Sequence, residues 1–324
     1  MGVEEKMVIP LNQTISKEIN KALSKAQLNA EMLHLIKSAF NVESDTGELF
    51  PWANLTLLSC ECLSGVPEVA LPGAIGMEFF ALAADVLDDI QDQDNDDLPW
   101  RKLNNVNAIN LAICLLMLSY EAIANIPDNG LFREVSTILN RTGICAIDGQ
   151  FQEFEYDRRE KISLEQYFEL VKRKSGSIMA CACKIGATLG GGSEVQVSQL
   201  DQFGTNLGIM SQIRNDLNDF LDFERKNDFI NNTKTLPYVY LLSILQRQPE
   251  RFKEITRLQS SKGSHRFRDE EREYLKQIAV AEGVAHYCKV MYEIFRQRAL
   301  EIIMAIPVLE KNKEKLIKLV EESV

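Results

Sequence analysis

Apolar residues recur at three- and four-residue spacing along almost the whole chain, as at Ile15, Ile19, Ala22 and Ala26, or at Tyr274, Ile278, Ala281 and Ala285. That period belongs to amphipathic helices, while alternating runs of strand length bounded by turn residues are scarce. The expected fold class is therefore all-α, with about ten helices. Breaks fall at 41–51, 92–99, 126–130, 190–192, 225–233 and 260–264. None is long or polar enough to be an interdomain linker, so 1–324 reads as a single domain.

Two segments look surrounded by protein. Residues 69–87 are apolar around nearly the whole circumference, with Gly73, Ala74, Gly76, Ala81, Ala83 and Ala84 interspersed, as in a central helix touching close neighbours. Residues 206–213 lead into another. The most apolar charge-free stretch, 103–120, carries four Asn in its first half and reads as a buried core helix rather than a membrane span. No apolar segment follows a basic start in residues 1–10, so no secretory signal is visible and a cytoplasmic location is expected. The seven Cys, an odd number without C-x-x-C spacing, read as buried thiols, and His34, His265 and His286 have no metal-spaced partners.

Thirty-six Lys and Arg against 47 Asp and Glu give a net charge of -11, which excludes a nucleic-acid surface. The acid is concentrated. Asp85, Asp88, Asp89, Asp92, Asp94, Asp96 and Asp97 place seven carboxylates in thirteen residues without a Lys or Arg. Two such charges about 4 Å apart repel by about 4 kcal/mol at an effective dielectric near 20. A helix C-terminus, already partly negative, makes this worse. Asp88 and Asp92, four apart, share a face and can offer oxygens to Mg²⁺. A solvated acidic loop suits Asp94, Asp96 and Asp97 better than the three that follow directly on the apolar helix. A calcium loop fails, because the required Gly is Asp97 and the required Glu is Leu103.

A second acidic motif follows another apolar helix: Gln212, Ile213, Arg214, Asn215, Asp216, Leu217, Asn218, Asp219. Asn215 and Asp219 share a face. Two such motifs at the ends of buried helices suggest a shared metal site that a diphosphate would bridge. Ser163 and Gln166 form a capping box, and the helix they start carries the stripe Leu164, Tyr167, Val171, Ile178. Lys174 falls on that stripe, and an inward lysine needs an anion.

Asp88, Asp89 and Asp92 resemble the D-D-x-x-D motif of the trans-isoprenyl diphosphate synthase family, and Asn215 to Asp219 its second motif. Gly149 and Gln150 resemble its G-Q pair, Lys174 and Ser175 its K-T pair, and Thr235, Leu236 and Pro237 its T-L-P, preceded by Lys234. The resemblance implies an isoprenoid-synthase helical bundle around a deep apolar cavity, and a homodimer. It also implies Mg²⁺, three ions with bound diphosphate, held by Asp88, Asp92, Asn215 and Asp219. Asp88, Asp89, Asp92, Asp216 and Asp219 would be catalytic, and Lys174, Lys234, Gln150 and Gln212 would bind the substrate diphosphate. Phe79, Phe80, Ala83 and Ala84, one to two turns or more before Asp88, would line the prenyl pocket. The small alanines leave room and the phenylalanines form a floor suited to ten to fifteen carbons.

The chain departs from the elongating members. Where these carry G-G-K-x-x-R-P, residues 47–53 (Gly47, Glu48, Leu49, Phe50, Pro51, Trp52, Ala53) hold no basic residue, and Asp97 and Leu98 stand where a pair of Arg is expected. This argues against isopentenyl diphosphate as acceptor. The run from Asp88 through Asp94, Asn95, Pro99 and Trp100 to Lys102, with residues 232–237, is similar to the family's competence-pheromone branch, whose members prenylate a tryptophan of a precursor peptide. That implies an allylic prenyl diphosphate as donor and a Trp-containing peptide as acceptor. The alternatives are a short-chain polyprenyl diphosphate synthase, a terpene cyclase (Asp219 and Phe223 stand where that motif has Ser and Glu) and a non-catalytic synthase subunit.

Overall fold

The computed structural model describes residues 5–40, 49–92, 95–221, 233–260 and 269–322. Gly47, Glu48, Asp94, Phe223, Asn232 and His265 lie outside them. Among the described residues there is no strand. The helices are α1 (Glu5–Lys25), α2 (Ala30–Phe40), α3 (Pro51–Ser64), α4 (Leu71–Asp92), α5 (Asn105–Ile123), α6 (Asn129–Asp157) and α7 (Leu164–Val171). They continue with α8 (Ser177–Leu189), α9 (Glu194–Leu221), α10 (Leu236–Leu245), α11 (Pro249–Ser260), α12 (Asp269–Ala281), α13 (Val284–Ala305) and α14 (Glu310–Glu322). There are more of them than expected, because left-handed residues such as Gln27, Gly65 and Gly283 end helices at breaks the periodicity hides. The contacts divide into two compact units. One holds the described residues up to Arg141 with Cys181–Asp201 and those from Ile306 on; the other holds Thr142–Ala180 and those of Gln202–Ala305.

In the first unit α4 is the core. Its residues from Gly73 to Ala83 are all buried, as expected of a helix apolar on every side. A Cβ on Gly76 would stand 3.1 Å from the Ser119 carbonyl oxygen and overlap Ile123, so glycine here is what lets α5 pack close. Helix α5 departs from expectation. Leu111, Ala112, Leu115 and Leu118 are buried, but Val106, Ile109, Ile113 and Met117 form an exposed apolar stripe on the other side. Both α5 and the segment Pro67–Asp92 have the length and apolarity of a membrane span, the latter 72% buried and the former 44%. At the C-terminal end, Lys315 holds both oxygens of Glu61 at 2.7 and 2.8 Å and ties α14 to α3.

The start of α3 is unusual. Phe50, at the N-cap with φ 58°, has no capping side chain, and Pro51 has no N–H to offer. The carboxyl of Glu78, buried in the middle of α4, takes the place of a cap by accepting the Ala53 N–H at 2.7 Å and also bonding the Trp52 N–H. Burial pushes the Glu78 carboxyl up to about 8, against the lowering effect of these two bonds. Phe79, the next residue, meets the Phe40 ring edge-on at 5.5 Å, and Phe40 lies 6.0 Å from Phe50.

The second unit has its own core, in which Phe220, Tyr238, Leu241, Leu242, Leu245, Ile255, Leu275 and Ile278 close α9 to α12 around one another. The seven Cys are free, and five of them, Cys60, Cys62, Cys181, Cys183 and Cys288, are buried.

The weakened acidity of Glu78 has a measurable consequence. A carboxyl that keeps its proton to about pH 8 when folded but loses it near 4.5 when unfolded contributes stability below pH 4.5, and that stability is lost as pH rises to about 8. Urea unfolding across this window should show stability falling with pH. Glu78→Gln should flatten the fall, and an unchanged slope in that variant would assign it to other groups. Glu78→Ala should cost about 2–4 kcal/mol through the lost cap and the cavity.

Candidate active site

In the first unit, α4 ends by emerging from its surroundings. Ala83 is fully buried, Ala84 and Asp88 are half-buried, and Asp85 and Asp92 are exposed. Phe79 and Phe80 lie deeper, at 0% and 5% exposure. Asp89 is different: it is buried, and its two oxygens accept the Asn95 side-chain amide at 2.6 Å and the Trp100 indole N–H at 2.7 Å. Asn95 has a φ of 55°, which turns the chain back toward the helix end. Asp89 thus folds the acidic loop, and the buried Trp100 closes it. Arg101, which adjoins Trp100, is bound to exposed Asp96 at 2.8 Å.

In the second unit, the helix begun by the expected capping box (Ser163 accepting the Gln166 N–H at 3.2 Å, Gln166 accepting the Ser163 N–H at 2.9 Å) passes into a π-helical turn at Lys172–Gly176. The extra residue of such a turn re-aims side chains, and π-bulges recur at functional sites. Lys174 does point inward, with 19% of its side chain exposed, and its ammonium pairs with Glu153 of α6. Gly149, of the G-Q pair, lets α6 approach this turn: a Cβ there would stand 3.0 Å from the Arg173 Cβ and 3.2 Å from the Lys174 Cγ. Gln150 is half-buried beside it in sequence.

Lys234, which residue type alone would place on the surface, is 3% exposed, with its ammonium 5.2 Å from the centre of the Tyr238 ring. Asp157, one turn after Glu153 on α6, bonds the Lys234 backbone N–H. Burial, then the Glu153 charge, push Asp157 up to about 6 against the two lysines. Glu153 and Asp157 were not recognised from the sequence, although they follow the G-Q pair at helical spacing.

Asp216 is buried at the centre of a network. One oxygen accepts the Tyr167 hydroxyl at 2.6 Å and the Leu236 N–H at 2.7 Å, and the other accepts the Gln212 amide at 2.8 Å. Gln212 in turn accepts the Ser175 hydroxyl at 2.6 Å. Burial raises Asp216 to about 6 despite these donors, and burial with the adjacent carboxylate raises the Tyr167 phenol well above its usual range. Asn215 and Asp219 flank it, both half-buried.

No three His, Cys, Asp or Glu side chains among the described residues form a ready-made metal group. Mg²⁺ is held by one or two carboxylates together with substrate phosphates rather than by an all-protein cage. The hard oxygens of Asp88, Asp92, Asn215 and Asp219 suit it. Asp89 and Asp216, the middle residues of the two motifs, are instead buried and accept protein donors on both oxygens.

The fold is that of the isoprenyl synthases: the crystal structure of a polyprenyl synthetase from Streptomyces coelicolor A3(2) superposes with a TM-score of 0.82 at 23% identity, over 98% of this chain and 99% of that one. Residues 53–273 match the polyprenyl synthetase family, and the chain belongs to that family. It is a prenyltransferase. Among curated relatives it is 27% identical over 276 residues to the tryptophan prenyltransferase ComQ of Bacillus subtilis (strain 168), covering 85% of this chain and 88% of that protein. It is also 27% identical over 175 residues to a short chain isoprenyl diphosphate synthase of Methanothermobacter thermautotrophicus, covering 53% and 54%.

Trp100→Phe removes the indole donor and keeps the ring. The buried Asp89 carboxylate then retains only Asn95 of these two donors, and the expected cost is about 1.5–3 kcal/mol in urea unfolding. A cost below about 0.5 kcal/mol would mean that this bond makes no net contribution.

Proposed function

We propose that this enzyme transfers a geranyl or farnesyl group from its diphosphate to the indole of a tryptophan in a pheromone precursor peptide, a quorum-sensing modification. The observation that carries the reading is the start of α3. A second diphosphate would need cations there; the segment has none, and its two free N–H groups are taken by the Glu78 carboxyl. The pairing of Arg101 with Asp96 points the same way. The similarity to ComQ over most of both chains supports a tryptophan acceptor.

In this reading residues 1–324 act as one catalytic domain in the cytoplasm. Asp88, Asp92, Asn215 and Asp219 would hold Mg²⁺, which supplies the charge neutralisation that makes diphosphate a leaving group. Lys174 and Lys234 turn their ammonium groups from Glu153 and the Tyr238 ring toward the diphosphate, with Gln150 and Gln212 as further donors. The C–O bond breaks with its electron pair on the diphosphate, the indole attacks the allylic cation, and the ring then loses a proton. Apolar residues about Phe79, Phe80, Ala83 and Ala84 hold the tail and exclude the water that would capture the cation. The exposed stripes Val106, Ile109, Ile113 and Met117 of α5, and Ile144, Ile147 and Phe151 of α6, support a homodimer, since apolar faces of this kind are covered in assemblies.

The test is incubation with Mg²⁺ and radiolabelled geranyl or farnesyl diphosphate, alone, with isopentenyl diphosphate, or with a Trp-containing precursor peptide. Label in the peptide is expected. Label in a longer prenyl diphosphate would establish the polyprenyl synthase instead, and label in a cyclic hydrocarbon a cyclase. Asp88→Ala and Asp219→Ala should each lose at least a hundredfold in Mg²⁺-dependent turnover, an order of magnitude set by removal of one charge-stabilising group. Phe79→Ala and Phe80→Ala should shift preference toward longer donors; unchanged preference in both would remove the pocket floor from this reading.

A further inference from the structure

Helix α10 starts without a cap of its own. Thr235 makes no capping bond and Pro237 has no N–H, so the Leu236 amide is the first donor at a helix end that carries partial positive charge. The acceptor it finds is Asp216, fully buried on α9. That same Asp216 oxygen takes the hydroxyl of Tyr167, itself buried on α7. The other oxygen is linked through Gln212 to Ser175, next to Lys174. One carboxylate thereby joins the two lysine-bearing segments of the second unit. Lys234 lies two residues before Leu236 and is held on its other side by Asp157.

We propose that Tyr167 is a positioning residue that acts through Asp216 to fix the start of α10, and with it Lys234, in the geometry that receives a diphosphate. This rests on the donor half of the proposed function and is indifferent to the acceptor. Removing the hydroxyl leaves Asp216 with the Leu236 and Gln212 donors in a site closed to water. The carboxylate is then free to shift toward Gln212, and that shift loosens its hold on Leu236. Lys234 should lose its placement before the protein loses its fold, because the core of α10, Leu241, Leu242 and Leu245, is packed independently of this network.

The experiment compares the full chain with Tyr167→Phe, Lys234→Ala and the double variant, with thermal unfolding as a control for folding. Hydrogen exchange of the 233–240 peptide reports on the Leu236 amide, and calorimetric titration with inorganic pyrophosphate in Mg²⁺ reports on the anion site. Tyr167→Phe should raise exchange in this peptide and weaken pyrophosphate binding by about tenfold, as expected when one hydrogen bond to a charged group is lost. In the Lys234→Ala background the same substitution should change affinity less than about twofold. Unchanged exchange, or equal affinity losses in both backgrounds, overturns the proposal while leaving the proposed function standing. Failure of the unaltered protein to bind pyrophosphate with Mg²⁺ sinks both. Should Tyr167→Phe unfold, Asp216→Asn takes its place in the cycle, with the same outcomes required.

Discussion

A carboxyl group taken out of water must be met by donors, and this constraint organises both units of the protein. Glu78, Asp89 and Asp216 are the buried acids of the described residues, and each is answered from a different segment of chain. Glu78 caps α3, Asp89 gathers Asn95 and Trp100, and Asp216 gathers Tyr167, Gln212 and Leu236. In each case the acid sits on a long, well-packed helix and at least one of its donors lies at an uncapped helix start or in an acidic loop. The rigid helices α4 and α9 thereby impose their geometry on the less regular chain around them.

The same constraint divides the labour within each acidic motif. Residues spaced four apart on a helix share a face, so Asp88 and Asp92 turn one way and Asp89 another, and likewise Asn215 and Asp219 against Asp216. The shared face remains within reach of solvent at the helix end, and the intervening residue points into protein. Three identical-looking acids in D-D-x-x-D are in this way two kinds of group. Replacing the inner one should disturb geometry, and in the proposed function replacing an outer one would remove oxygens from the metal.

This division explains what was legible in the sequence and what was not. The all-round apolarity of 69–87, the Ser163–Gln166 capping box and the inward direction of Lys174 are local properties, carried by spacing within one helix; the structure has the capping box and the inward lysine, and of the apolar segment it buries 73–83 continuously while Val69 and Asp85 are exposed. The partners of these residues are tertiary. Nothing around Lys174 points to Glu153, and nothing around Asp216 points to Tyr167, 49 residues away. Residue type alone would place Lys234 on the surface, and only the resemblance assigned it to the diphosphate; its burial beside Tyr238 and Asp157 is a tertiary property. Helix α5 failed in the opposite sense. Composition measures how apolar a helix is, and the neighbours decide which faces are covered, so the exposed stripe from Val106 to Met117 had no local signature.

The charge balance of the second unit bears on how so acidic a chain handles an anionic substrate. Beside Lys174 and Lys234 stand three acids, Glu153, Asp157 and Asp216, so the acids of this cluster outnumber its two lysines. Two of these acids, Asp157 and Asp216, titrate near 6, which softens the imbalance only in mildly acidic solution. The lysines are thus already matched by the chain before any ligand arrives, and a diphosphate added to this arrangement would raise the negative charge further. In the proposed function that attraction would come from divalent cations that enter with it. In that setting the local acidity is useful, because it makes anion binding conditional on the metal and leaves an anion without one repelled. An excess of carboxylates over lysines is then what a metal-dependent diphosphate site requires, and the net charge of -11 is compatible with an anionic donor.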